Sequence, residues 1–303
     1  MKRLWGLLFF AALFWFWPAF VSHAEEAQES DSFTILWISD TQDISYHGYG
    51  DAFNTMGKWI VEQKDDMNIR YIVQTGDAVD NGASGWQWKR YDVMYDQFRG
   101  KIPYIAAAGN HEVKKNGYLE YCMRKDVRTI PRGNTFLRGE ASYATFDHHG
   151  NSFLIVAVGY EAGQDAVQWT NDVLKTHPDH TALLLVHHYL QTGGRFGING
   201  KAMFEQVVKP NPNVRLVLCG HVCGVSSRID ALDDDHDGKP DRTVAQMMYN
   251  YQHFGEDCGQ LRTLTFQEED RSIRVTTYSP VTERYYRDYM FGDHYTFTLP
   301  NAF

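Results

Sequence analysis

The feature that most constrains this chain is a series of short apolar runs, several of them ending directly in clusters of polar residues. Residues 33–39, 71–75, 104–108, 153–159, 182–186 and 214–219 are each too short for a core helix. Runs of this length bounded by turn residues read as strands buried on both faces. Between the early runs lie stretches with helical spacing, at 52–64, 86–98 and 165–175; in the first of these Phe53, Met56, Trp59 and Ile60 share one face. Strand and helix signals in alternation predict an α/β architecture. After residue 220 the helical spacing stops, and 225–232, 243–251, 260–267 and 272–278 read as strands joined by turns. Antiparallel pairing is expected there, which gives a mixed sheet system of two packed sheets with helices outside. With no repeat and no Pro/Gly/Ser-rich linker, residues 31–303 are expected to form one domain.

The polar residues at the run ends are of one chemical kind. The first run ends in Asp40 and Gln42, the second in Asp77 and Asp80, and the third in Asn110, His111 and Glu112. The fifth gives His187 and His188, and the sixth His221 and Cys223. In open α/β sheets, ligands bind at the carboxyl ends of the strands. Carboxylate, amide and imidazole donors suit manganese, iron, zinc or magnesium. Spacing of two in Asp40/Gln42 and His221/Cys223 lets both side chains leave an extended segment on one side. Each cluster alone is an ordinary turn or a packed pair; their shared position and order make the signal.

The segments "DTQ" (40–42), "GDAVD" (76–80), "GNHE" (109–112), "HH" (187–188) and "GHVC" (220–223) resemble the ordered motifs of the calcineurin-like metallophosphoesterase superfamily. The resemblance implies a four-layer α/β/β/α sandwich of two mixed sheets with a two-metal site, holding divalent or trivalent ions such as Mn, Fe or Zn. It implies that Asp77, Asn110, His187 and His221 hold one metal, and that Asp40, Gln42, Asp77 and Cys223 hold the other. His111 would act at the substrate, as proton donor or charge stabiliser. Asp80 and Glu112 would orient ligands, and His188 would contact substrate or support His187. The implied reaction is phosphoester hydrolysis by a metal-bridged hydroxide that attacks phosphorus.

Two residues depart from the family pattern, and both fall on one metal position. Gln42 stands where the family has a histidine, a change that resembles one bacterial branch. Cys223 stands where the family has the second histidine of its last motif. Cys223 has three readings: a thiolate ligand, half of a disulfide with Cys258, or an inert thiol. The departures leave open a second reading of the whole chain: a degenerate one-metal protein that serves as a cell-surface binding or scaffold module.

Other features bear on partners and location. A net charge of -9 argues against a nucleic-acid backbone as partner, so none is expected, but not against a small phosphoester substrate. Arg195, in "TGGRFG", and the loop at 44–51 with Tyr46, His47 and Tyr49 are candidate phosphate or substrate contacts. Lys2 and Arg3 precede an apolar run at 4–21 and a small-residue site at Ala24. Residues 1–24 therefore read as a signal peptide, with an uncleaved membrane anchor through 4–21 as the rival. Either reading exports the domain to an extracellular, periplasmic or cell-surface location. The segment 233–241 places Asp233, Asp235 and Asp237 like the start of a calcium loop, but Val244 stands where that loop needs its final Glu. It reads as a charged hairpin turn, with a structural Ca site as the alternative.

Overall fold

A computed structural model describes residues 32–113, 124, 130–286 and 296–303. In chain order the strands are β1 (Ser32–Ile38), β2 (Ile69–Gln74), β3 (Tyr104–Ala106), β4 (Ala141–His148), β5 (Asn151–Val158), β6 (Thr181–Val186), β7 (Leu190–Gln191) and β8 (Arg195–Phe196). There follow β9 (Val214–Cys219), β10 (Gly224–Leu232), β11 (Arg242–Asn250), β12 (Leu261–Gln267), β13 (Ser272–Ser279), β14 (Arg284–Tyr285) and β15 (Thr296–Leu299). One sheet runs β14-β13-β12-β1-β2-β3, with β15 also on β13; the other runs β10-β11-β9-β6-β5-β4. Each combines parallel and antiparallel pairs, so both are mixed.

Alternation along the strands builds the layers. Phe33, Ile35 and Trp37 of β1 point between the sheets, where they meet Phe153, Ile155, Leu183, Leu185, Leu216 and Leu218 from the second sheet. Leu36 and Ile38 point the other way, onto Phe53, Met56 and Ile60 of the helix Ala52–Glu62 and Tyr91, Met94 and Tyr95 of the helix Gly85–Phe98. The second sheet does the same with Leu154, Val156, Leu184 and Val217, which pack on Val173 and Leu174 of the helix Gln164–Thr176 and on Phe204 and Val207. Successive strand residues face opposite sides, so a strand buried on both faces is apolar throughout. That is why the runs are continuous in the sequence and why the molecule has four layers, helix, sheet, sheet, helix.

Two expectations differ from the structure. The late strands are not one antiparallel set: β11 pairs in parallel with β9 and joins the second sheet, while β12 and β13 join the first. The long hairpin partner β10 lets the chain run back and enter β11 in the parallel direction without a helix. β4 does not stand out as an apolar run because it is an edge strand, with Tyr143 and Ala144 only partly covered and Thr145 and Asp147 exposed. The segment at 44–51 begins as a short helix, Gln42–His47, with Arg90 donating to the Ser45 and Tyr46 carbonyls. The apolar run at 4–21 and Cys122 lie outside the described residues. Among the described residues no helix is long and apolar enough to cross a membrane.

Candidate metal centre

The parallel strands β1, β2, β3, β6 and β9 all end on one rim, and each hands a polar residue to it. Asp40, Asp77 and His221 have φ of 49, 50 and 68°. Left-handed backbone is costly for such residues, and it persists where the surroundings hold it in place. Two glycines let the turns close. A methyl at Gly109 would overlap Asp77 Oδ1 and Asp77 N, and one at Gly220 would overlap the Asp40 carboxylate. No side chain fits at either place.

Four donor atoms converge. His187 Nε2 lies 3.2 Å from Asp77 Oδ2, 3.1 Å from Asn110 Oδ1 and 3.1 Å from His221 Nδ1. His187 Nδ1 donates to the Thr75 carbonyl at 2.7 Å, which leaves the Nε2 lone pair aimed at the cluster. Asp77, Asn110 and His187 are buried, at 2%, 3% and 0% exposure. Glu112, also buried, accepts the N–H groups of Asp77 at 2.8 Å, Gly109 at 2.7 Å and Val79 at 3.1 Å, and so pins the β2 and β3 turns together. Asp77 Oδ1 accepts the His111 N–H at 2.9 Å. That leaves Oδ2 to face the cluster.

Electrostatics follow from this crowding. Burial pushes the Asp40 carboxyl up to about 8, with the Asp77 charge adding to it. Burial and Asp77 likewise push Glu112 up to about 7. Burial opposes the charged forms of Asp77 and His187 too, but each is outweighed by the other: Asp77 is held low, and His187 is raised. Buried carboxylates gathered around two imidazoles make a site that a cation would stabilise.

The other position is less complete. Asp40 accepts the His221 N–H at 3.0 and 3.2 Å and the Ser39 hydroxyl. Gln42 Nε2 reaches Asp77 Oδ2 at 3.5 Å, while Gln42 Oε1 is buried with no hydrogen-bond partner. That orphaned carbonyl oxygen fits a metal ligand. Cys223 is a free, half-buried thiol, and so is not half of a disulfide; Cys258 is also free. Burial raises the Cys223 thiol, and the Gln252 amide donates to its Sγ at 3.1 Å. Among the described residues the converging His/Cys/Asp/Glu group here is Asp77, His187 and His221, without Cys223. The residues present therefore fit one metal fully, through Asp77, Asn110, His187 and His221, and a second one weakly.

The remaining candidates fall at varying distances. His111 is partly exposed beside the cluster, with Nε2 3.9 Å from Asp77 Oδ2. Its Nδ1 donates to the Asp80 carbonyl at 2.6 Å, with Asp80 Oδ1 at 3.4 Å, so Asp80 sets the ring's orientation. The His188 ring lies 4.4 Å from that of His221 and lines a cavity of about 260 Å³ with Tyr160, Glu161 and Asn199. Arg195 is exposed on β8 and is not brought to the cluster. In the 233–241 turn, Asp241 rather than Asp237 joins Asp233 and Asp235. Asp237 instead accepts the Lys239 N–H.

Sequence reading missed Thr75, Tyr160 and Gln252. Tyr160 lies against His221, ring to ring at 5.6 Å, just beyond the end of β5, so the strand-end rule was enough to find it. Gln252 follows β11, whose end reaches this rim only because β11 runs parallel to β9.

Comparison with known proteins agrees with this geometry. Residues 33–224 match the family model for calcineurin-like phosphoesterases, and the chain belongs to that family. It is 36% identical over 281 residues to uncharacterized protein YvnB of Bacillus subtilis (strain 168), covering 89% of this chain and 22% of that protein. It therefore spans about a fifth of that relative's length. It is 25% identical over 209 residues to a probable cyclic nucleotide phosphodiesterase of Moraxella catarrhalis (strain BBH18), covering 63% of this chain and 71% of that one. Purple acid phosphatase PPD1 from yellow lupin shares the fold, with a TM-score of 0.59 at 15% identity, over 90% of this chain and 54% of that one.

Proposed function

We propose that this chain is a metal-dependent phosphoester hydrolase that uses water, not a protein side chain, as nucleophile. The convergence of Asp77 Oδ2, Asn110 Oδ1 and His221 Nδ1 on His187 Nε2 carries this reading. Bound cations of the Mn, Fe or Zn class would supply Lewis acidity toward phosphoryl oxygens and lower the pKa of water. The chain's own residues do the rest. Thr75 fixes the His187 tautomer, and Glu112 holds the Asp77 and Gly109 turns. His111, oriented by the Asp80 carbonyl, presents Nε2 to the leaving oxygen and donates a proton or stabilises its charge.

The substrate class proposed is a small phosphoester. The cavity between Tyr160 and His188 offers room for a leaving group beside the cluster. The Moraxella relative's name supports a diester with a nucleoside-sized group. Export, through residues 1–24, is part of the proposal. A one-metal binding module is the second reading, favoured by the raised Cys223 thiol held to Gln252.

Purified chain assayed on aryl phosphate mono- and diesters with Mn, Fe, Zn and Co, alongside bound metal per chain, separates the two. Metal-dependent turnover, abolished in Asp77→Ala and reduced about 10²–10⁴-fold in His111→Ala, is expected. A single metal per chain that Asp77→Ala removes, without turnover, would establish the binding module, and turnover unchanged in Asp77→Ala would overturn the mechanism.

A further inference from the structure

The strand-end rim occupies one end of the sandwich. The opposite end carries a second group of donors that shares no residue with it. There Ser32, the first residue of β1, pairs with Gln267, the last of β12, and the β4–β5 hairpin turns between His148 and Asn151. The two turn residues, His149 and Gly150, have φ of 44 and 82°. Hairpins favour two-residue turns of this left-handed kind because their twist matches that of the strands. The tight turn brings two consecutive imidazoles together, with ring centroids 4.2 Å apart and planes at 15°.

Glu268 arrives from the other sheet, directly after β12. Its Oε2 lies 2.9 Å from His149 Nδ1, and its Oε1 accepts the Asn151 amide at 3.0 Å. One donor atom from each of His148, His149 and Glu268 lies within 4.8 Å of the other two. His148 is 3% exposed and packs on the Phe33 ring at 4.8 Å. The side chains of His149 and Glu268 are 27% and 12% exposed, which gives an ion a way in from solvent.

We propose that His148, His149 and Glu268 form a second metal site, for a borderline divalent cation of the zinc class, which clasps the β4–β5 turn of one sheet to the end of β12 in the other. Two imidazoles and a carboxylate match that ion class, whereas calcium and magnesium take oxygen donors. Metal–donor bonds of about 2.0–2.2 Å in a tetrahedron set donors about 3.4 Å apart. His149 Nδ1 and Glu268 Oε2 are 2.9 Å apart and all three donors lie within 4.8 Å of one another, so the present spacing brackets that value. Asn151 holds one carboxylate oxygen and so presents the other, the usual task of a residue behind a ligand. A plain His149–Glu268 hydrogen bond is one contact of the three; the buried His148 adds a second imidazole at the same point.

The test is equilibrium dialysis of the full chain against zinc, with thermal unfolding in parallel, on wild type, His149→Ala and Glu268→Gln, each also in a His187→Ala background. One zinc fewer per chain in both variants than in their parent is expected, in both backgrounds. A zinc-dependent rise in Tm should persist in His187→Ala and disappear when either substitution is added. Unchanged zinc content and unchanged Tm rise in Glu268→Gln, which keeps the shape and the Asn151 contact, would overturn the proposal even if His149→Ala fails to fold. Because the His187→Ala background disables the other cluster, failure here leaves the phosphoesterase reading standing, and loss of hydrolysis alone leaves this site standing.

Discussion

The two halves of the strand-end cluster are built to different standards. On the side of Asn110, His187 and His221, three donors lie within hydrogen-bond distance of His187 Nε2, and the Thr75 carbonyl fixes that ring. On the side of Asp40, Gln42 and Cys223, the amide oxygen of Gln42 is orphaned and the thiol is turned to Gln252. Support from behind makes the difference. His187 is held by the backbone carbonyl of Thr75 and Asp77 by the backbone N–H of His111, while Cys223 is held by a side chain. A metal site is as good as the shell that holds its ligands.

The largest expected effect breaks the comparison at its stronger half. His187→Ala should remove the metal of the stronger position and abolish hydrolysis, whereas Gln42→Ala should weaken only the other position; metal content of the dialysed proteins checks this. Glu112→Gln keeps the shape but weakens the grip on the Asp77, Gly109 and Val79 amides. It should lower metal affinity about 10–100-fold, read by chelator competition.

Metal removal sharpens the contrast through pH. Burial pushes the carboxyls of Asp40 and Glu112 up, to about 8 and about 7. A carboxyl whose folded pKa is raised favours the fold while protonated and disfavours it once ionised. Its stability contribution is therefore greatest at low pH and is lost as pH rises from the unfolded value through the folded one. Chelated protein should lose Tm between about pH 5 and 8, and metal-loaded protein should lose much less, because cations offset the carboxylate charge.

Smaller effects address the weaker half. Cys223→His should raise affinity for the second metal and increase turnover, measured by metal titration against rate. Gln252→Met keeps the volume but deletes the donor to Sγ. The Cys223 thiol pKa should rise further and alkylation at fixed pH should slow by up to about tenfold, a single pKa unit.

Much of the fold and of the stronger half is legible in the sequence. Asp77, Asn110, His187 and His221 stand out because each follows a strand that is largely apolar along its length, and a strand buried on both faces has one place for polar chemistry, its end. Gln252 is not legible there, because its place depends on β11 running parallel to β9, a pairing that no local pattern encodes. The disulfide reading of Cys223 failed for a related reason. Pairing of cysteines depends on distance between segments, and the fold leaves Cys223 and Cys258 as separate thiols.

By itself, then, the sequence determined the layer architecture and which residues stand at strand ends, since both follow from local periodicity and from glycines where side chains cannot fit. The tertiary structure alone decided which strand ends share a rim, that Cys223 meets Gln252, and that His148 and His149 meet Glu268 at the far end. Those contacts join segments tens to hundreds of residues apart, and their geometry is set by sheet order and register.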